Sequence, residues 1–150
     1  MSYDSALLPA GVGRIIAPKD GDYSMTEKIS SKQLSTILAD MNAQGGFLIS
    51  VLTDLEGLPL ASAKTVEGEN PEMQAAVVAL IQKSALQTHK VNMDETDEVT
   101  VFDRQGRRLV CRPFQVGERY LVLAVMVPRD RSYRRLTQQA IAAVRQAWKV

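Results

Sequence analysis

Two short, nearly continuous apolar runs, Phe47 to Leu52 and Tyr120 to Val127, constrain the fold more than any other feature of the chain. Each is too short to span a bilayer, and neither alternates as a half-exposed strand does, so each reads as a strand covered on both faces. A sheet with two such strands at its centre needs helices above and below it. Three amphipathic segments supply them. Leu34, Ile37, Leu38 and Met41 recur at helical spacing after a cap at Ser30 or Ser31 and before Gly45-Gly46. Asn70-Pro71-Glu72 opens a second helix, expected to run to about His89. A third is expected to start near its cap candidate Asp130, with Tyr133, Leu136, Ala140, Ile141, Val144 and Trp148 on one face.

The remaining strands follow from the turns. Asp54-Leu55-Glu56-Gly57 joins Phe47–Leu52 to Leu58–Ala63 as a hairpin. Val99 and Val101, then Arg108 to Phe114, then Tyr120 to Val127 form a meander through turns at residues 103–106 and 116–118. Apolar strands belong at the centre, and short or alternating ones at the edges. Hairpin neighbours then set the sheet order as second, first, fifth, fourth, third. The expected fold is α+β, a five-stranded antiparallel sheet (2-1-5-4-3) with the middle helix alone on one face and the other two opposite. Pro113 lies past the part of the fourth strand that pairs with the short third one, where a missing N–H is tolerated.

The middle helix is apolar on more than one side. Between Met73 and Leu86, 10 of 14 residues are apolar. Met73, Ala76, Val77, Leu80 and Ile81 make one face, while Ala75, Val78, Ala79, Ala85 and Leu86 extend toward another, so cover is expected on two sides. Residues 1–25, with Pro9, Gly11, Gly13, Pro18 and Gly21, read as a flexible arm outside a domain of residues 26–150.

Charge is uneven. Residues 1–103 carry 7 Lys+Arg against 15 Asp+Glu, and residues 104–150 carry 11 against 2. Pairing between the halves of one domain accounts for this most simply; steering of an acidic partner is the other reading. Few aromatics lie among the arginines and no nucleic-acid motif is present, so nucleic acid is not an expected partner. The N-terminus lacks the pattern of a signal peptide, Cys111 is the single cysteine and no run spans a membrane, from which a cytoplasmic location without membrane insertion is expected.

The usual catalytic parts are missing. His89 is the only histidine, which excludes His-based metal motifs and suits a helix-end residue better than a general base. Cys111 sits inside an apolar strand and reads as a structural thiol. Gly11-Val12-Gly13 lacks the strand, helix and third glycine of a dinucleotide fingerprint, and no phosphate-binding GxxxxGK[ST] motif occurs. Asp54 and Glu56 straddle a turn, where Asp accepts backbone hydrogen bonds. The acidic loop Asp94 to Glu98 lacks the glycine and spacing of a calcium loop. The chain is expected not to be an enzyme, and to hold no cofactor and no metal.

The segment Phe47 to Ala63, with its Asp-x-x-Gly turn, the Ala-rich helix after Asn70-Pro71 and the meander ending in Leu121-Val122-Leu123-Ala124-Val125 resemble the roadblock family of dynein-light-chain-like proteins, over about residues 31–148. The long N-terminal arm departs from a minimal member of that family. The resemblance implies a homodimer, or a pair with a sister roadblock subunit, in which the middle helices pack together and the third strands join edge to edge. It also implies a partner, a small Ras-like GTPase, for which such proteins act as regulators or scaffolds. On this reading Val78, Gln82, Ala85 and Leu86, with Val99 and Val101, form the dimer interface, and Gln82, Lys83 and Gln87 border the partner surface. The alternatives are a ligand-sensing module of profilin, PAS or GAF type and a structural subunit of a larger assembly.

Overall fold

The computed structural model describes the backbone of residues 20–148 and the side chains of residues 31–148. Its elements are α1 (Asp20–Gly45), β1 (Ile49–Asp54), β2 (Pro59–Lys64), α2 (Pro71–Ala85), a 3₁₀ turn (Leu86–Val91), β3 (Val99–Phe102), β4 (Arg108–Val116), β5 (Arg119–Val127) and α3 (Arg134–Trp148). The arm expected over residues 1–25 lies, through residue 19, outside the described residues, and its last positions belong to α1. That helix begins ten residues ahead of the expected serine caps. Serine inside a helix does not stop it, and Ser31 uses its hydroxyl elsewhere, donating to the Leu60 carbonyl at 3.3 Å.

The five strands pair antiparallel in the order β2-β1-β5-β4-β3, as the apolar runs require. Leu52 lies opposite Leu123, and Val110 opposite Val125. β3 pairs with Arg108–Cys111 of β4, short of Pro113. The alternation of the pleat sorts the side chains into two layers. Leu52, Val110, Leu121, Leu123, Val125 and Val127 meet Leu34, Leu38 and Met41 of α1 and Ala140, Ile141 and Val144 of α3. On the other face α2 packs alone, with Val78 against Cys111, Val122 and Ala124, and Ala75 against Ile49 and Val51.

The two hairpins share one turn chemistry. Asp54 Oδ1 accepts from the amides of Glu56 (2.9 Å) and Leu58 (3.0 Å), and Asp103 Oδ1 from those of Gln105 and Arg107 (2.9 Å each). Each Asp-x-x-Gly loop closes at a glycine with positive φ, +90° at Gly57 and +88° at Gly106. Gly57 is needed for space as well. A Cβ there would lie 2.8 Å from Ala79 Cβ and 3.1 Å from the Ala75 carbonyl oxygen, so α2 rests directly on the first hairpin turn.

Both expected helix limits near α2 and α3 shift. Asn70 caps α2 as expected, accepting from Met73 N at 3.1 Å, but the α-helix ends at Ala85 rather than His89. Side chains take the carbonyls that another α-turn would use: Thr88 Oγ1 donates to Ala85 O (2.8 Å) and His89 Nδ1 to Leu86 O (2.7 Å). The chain tightens into 3₁₀ geometry and stops at Asn92, φ 66°. Asp130 does not cap α3. It adopts φ 68°, which cannot precede a helical turn directly, and the helix starts at Arg134.

Candidate interaction surface

The side chains of α2 divide cleanly. Gln74, Ala75, Val78, Gln82 and Ala85 are buried against the sheet. On the opposite side Met73 (62% exposed), Val77 (40%) and Leu80 (67%) stand uncovered beside exposed Ala76. The two-sided helix read from the sequence is present, with its faces exchanged. Val78, Gln82 and Ala85, expected at a dimer axis, point inward instead. Ala75, Val78 and Ala85 take the inner side together with Gln74 and Gln82, and Met73, Val77 and Leu80 are left outward. Gln74 Nε2 donates to the Ala124 carbonyl on the central strand at 3.2 Å, closing the space under the helix.

The other expected site residues are accessible. Leu86 is exposed (58%) at the start of the 3₁₀ turn, Lys83 and Gln87 are exposed beside it, and Val99 and Val101 lie on β3, half-buried and exposed respectively. Among the described residues β3 pairs only with β4, and none of them pairs with its other edge. Between this edge and the C-terminal end of α2 runs a groove of about 830 Å³, floored by Ile81, Ala85, Met93, Val99 and Val101 and rimmed by Glu95 and Asp97. The far edge of the sheet differs. Ser31 and Asn42 of α1 donate to the β2 carbonyls of Leu60 (3.3 Å) and Ala63 (3.1 Å), and Pro59, opening the strand, has no N–H to offer.

At the start of β3 a polar cluster ties the edge strand to α3. Glu98 accepts from Tyr133 OH (2.5 Å), Thr100 Oγ1 (2.6 Å) and Arg134 Nη1 (3.0 Å). Partial burial would raise its pKa, but those hydrogen bonds and the Arg134 and Arg112 charges outweigh burial and hold the carboxyl below the usual range. Arg112, itself buried, reaches across to Thr137 Oγ1 (3.0 Å) and Gln138 Oε1 (3.1 Å). Sequence reading missed this cluster because its members come from three separate segments.

The residues weighed for catalysis are spread apart. His89 is engaged in its own turn, and Asp54 is occupied by backbone amides. Cys111 is fully buried beneath α2; burial first, and Glu98 second, push its thiol up to about 12. Among the described residues no group of three His, Cys, Asp or Glu is placed to hold a metal ion, and no helix is long and apolar enough to cross a membrane.

A sheet in this order, with one helix on one face and two on the other, is the roadblock fold. No protein-family model and no curated sequence matches the chain; the likeness is to solved structures. The gliding protein MglB from Thermus thermophilus is similar at 14% identity and a TM-score of 0.64, over 80% of this chain and 91% of that one. An MglB with tetrameric arrangement is similar at 16% identity and a TM-score of 0.63, over 80% and 90%. A Roadblock/LC7 domain from Streptomyces avermitilis is similar at 14% identity and a TM-score of 0.61, over 77% and 94%.

Proposed function

We propose that this chain is a non-catalytic regulator or scaffold that works as a dimer, or as a pair with a sister roadblock subunit, and binds a small Ras-like GTPase. The observation that carries this reading is the uncovered apolar side of α2 beside an open β3 edge. Met73, Val77 and Leu80 in one copy would meet their counterparts across a two-fold axis, while β3 strands pair antiparallel through Val99 and Val101. Burying each of those three side chains is worth about 1–2 kcal/mol, twice over in a symmetric pair. The paired helices would then form a broad platform, with Lys83 and Gln87 as its polar border. A GTPase seated there would be read through switch segments that the γ-phosphate orders, so the two nucleotide states must bind unequally.

Two measurements test it. Light scattering at micromolar concentration is expected to give about twice the 16.5 kDa chain mass, and Leu80→Glu to return it to the monomer value with the circular dichroism unchanged. Calorimetry against Ras-like GTPases of the same organism, loaded with GDP or a non-hydrolysable GTP analogue, is expected to show a preference of about tenfold, equivalent to about 1.4 kcal/mol. A monomer in the first assay removes the dimer. Absence of binding in the second, with the dimer intact, removes the GTPase and leaves a structural subunit.

A further inference from the structure

Pairing between the halves of the domain explains little of the charge asymmetry. Among the described residues the ion pairs are Arg107 with Asp103, and Arg134 with Asp97 and Glu98. Arg108 and Arg112 are spent on carbonyl, hydroxyl and amide oxygens. Arg104, Arg129 and Arg135 are exposed and meet no carboxylate of the described residues, and the fold brings the first two together. Phe102 lies opposite Arg108, and Arg108 opposite Val127, so the β3–β4 turn and the exit of β5 share one end of the sheet. There the turn carrying Arg104 touches Arg129, whose Cγ lies 3.0 Å from where a Cβ on Gly106 would be. Arg135 follows in the first turn of α3, whose dipole adds positive potential. Asp103 is held by its own turn and by Arg107, and Asp130, the one acid among residues 129–135, forms no ion pair with the described residues. Phe102 stands 69% exposed at the border of the group.

We propose that this end of the sheet is a docking surface for an acidic, carboxylate-rich segment of a partner protein. Charge complementarity sets the sign. The residue types set the class: the cationic side chains here are all arginines, whose planar forks match carboxylates in pairs, and an exposed aromatic adjoins them, the combination enriched at protein interfaces where lysine is depleted. Arg104 and Arg129 project from turns rather than lining a stacking platform or a helix suited to a DNA groove. Arg104 and Arg129 lie off α2 and off β3, so the double variant tests the surface independently of the proposed GTPase platform; Phe102 ends β3, and its variant is compared at unchanged oligomeric state.

The probe is a fluorescein-labelled peptide of glutamates and aspartates around two leucines, titrated with the full-length protein at fixed low salt and followed by anisotropy. Replacing Arg104 and Arg129 together by Glu is expected to weaken binding about tenfold or more. Arg119→Glu with Arg145→Glu, the same change in net charge at the opposite end of the sheet, is expected to cost less than about twofold. Phe102→Ala, which alters no charge, is expected to cost about threefold. Equal losses in the two double variants would reduce the effect to net charge and overturn the proposal. So would failure of the peptide to bind, or tighter binding of a DNA duplex or of phosphatidylserine vesicles through the same two arginines.

Discussion

Gly57 and Gly68 offer a matched pair. Their φ angles are +90° and +92°, so alanine carries the same backbone penalty at both, about 1–2 kcal/mol. Their surroundings differ. A Cβ at Gly68 meets nothing within 4 Å, whereas at Gly57 it would lie 2.8 Å from Ala79 Cβ and 3.1 Å from a backbone oxygen of α2. The helix would have to lift, and overpacking of this kind costs a further amount of about 1–3 kcal/mol. Gly68→Ala is therefore expected to destabilise by about 1–2 kcal/mol and Gly57→Ala by about 2–5 kcal/mol, a separation of several degrees in melting temperature for a domain of this size. Urea titration followed by far-ultraviolet circular dichroism measures both, at one fixed protomer concentration because self-association would add to apparent stability. Equal costs at the two positions would show that α2 does not rest on the hairpin turn. That result would also favour the ligand-sensing reading, which needs a gap between α2 and the sheet.

Two further outcomes follow from the buried and paired groups. Cys111, covered by α2 and with its thiol pushed up to about 12, is expected to resist iodoacetamide at pH 8 in the folded protein and to react within minutes in urea, as mass spectrometry would show; rapid labelling of the folded protein would contradict its burial. The lowered folded-state pKa of Glu98 means that its contribution is present above the unfolded value, near the ordinary carboxyl value of 4.5, and is lost as pH falls through the folded one. Glu98→Gln is expected to cost about 1–2 kcal/mol at pH 7, with the gap to the parent closing on acidification in urea titrations; a gap that stays constant with pH would refute the assignment.

Strand order was legible because it rests on features that survive without neighbours: two apolar runs, two Asp-x-x-Gly turns and a short alternating strand between them. The orientation of α2 was not. Apolar residues surround most of that helix, so periodicity shows two faces without saying which goes inward. The fold puts Ala75, Val78 and Ala85 inside together with two glutamines that no hydropathy pattern would bury, one of which, Gln74, finds a partner in the Ala124 carbonyl. Of the residues expected at a dimer axis, Val78, Gln82 and Ala85 therefore lie on the side of that helix turned away from solvent. The end of α2 was hidden for a related reason, since Thr88 and His89 alter the helix through their own side-chain hydrogen bonds. The Glu98 cluster needed residues 98, 100, 112, 133 and 134 brought together, which only the folded sheet does.

The hydrogen bonds from Ser31 and Asn42 to β2 have a consequence for how far such a sheet can grow. A chain with two bare edges is a building block for a filament, because every added copy presents a fresh edge to the next. Here one edge strand, β2, opens on a proline and has its Leu60 carbonyl occupied by Ser31 of the same molecule. A second copy that joined through β3 would carry its own β2 to the outside, where Pro59 and the occupied Leu60 carbonyl leave fewer groups for a third copy to pair with. On the proposed pairing through β3, the residues that bear on further growth lie on α1, at the opposite edge from that contact.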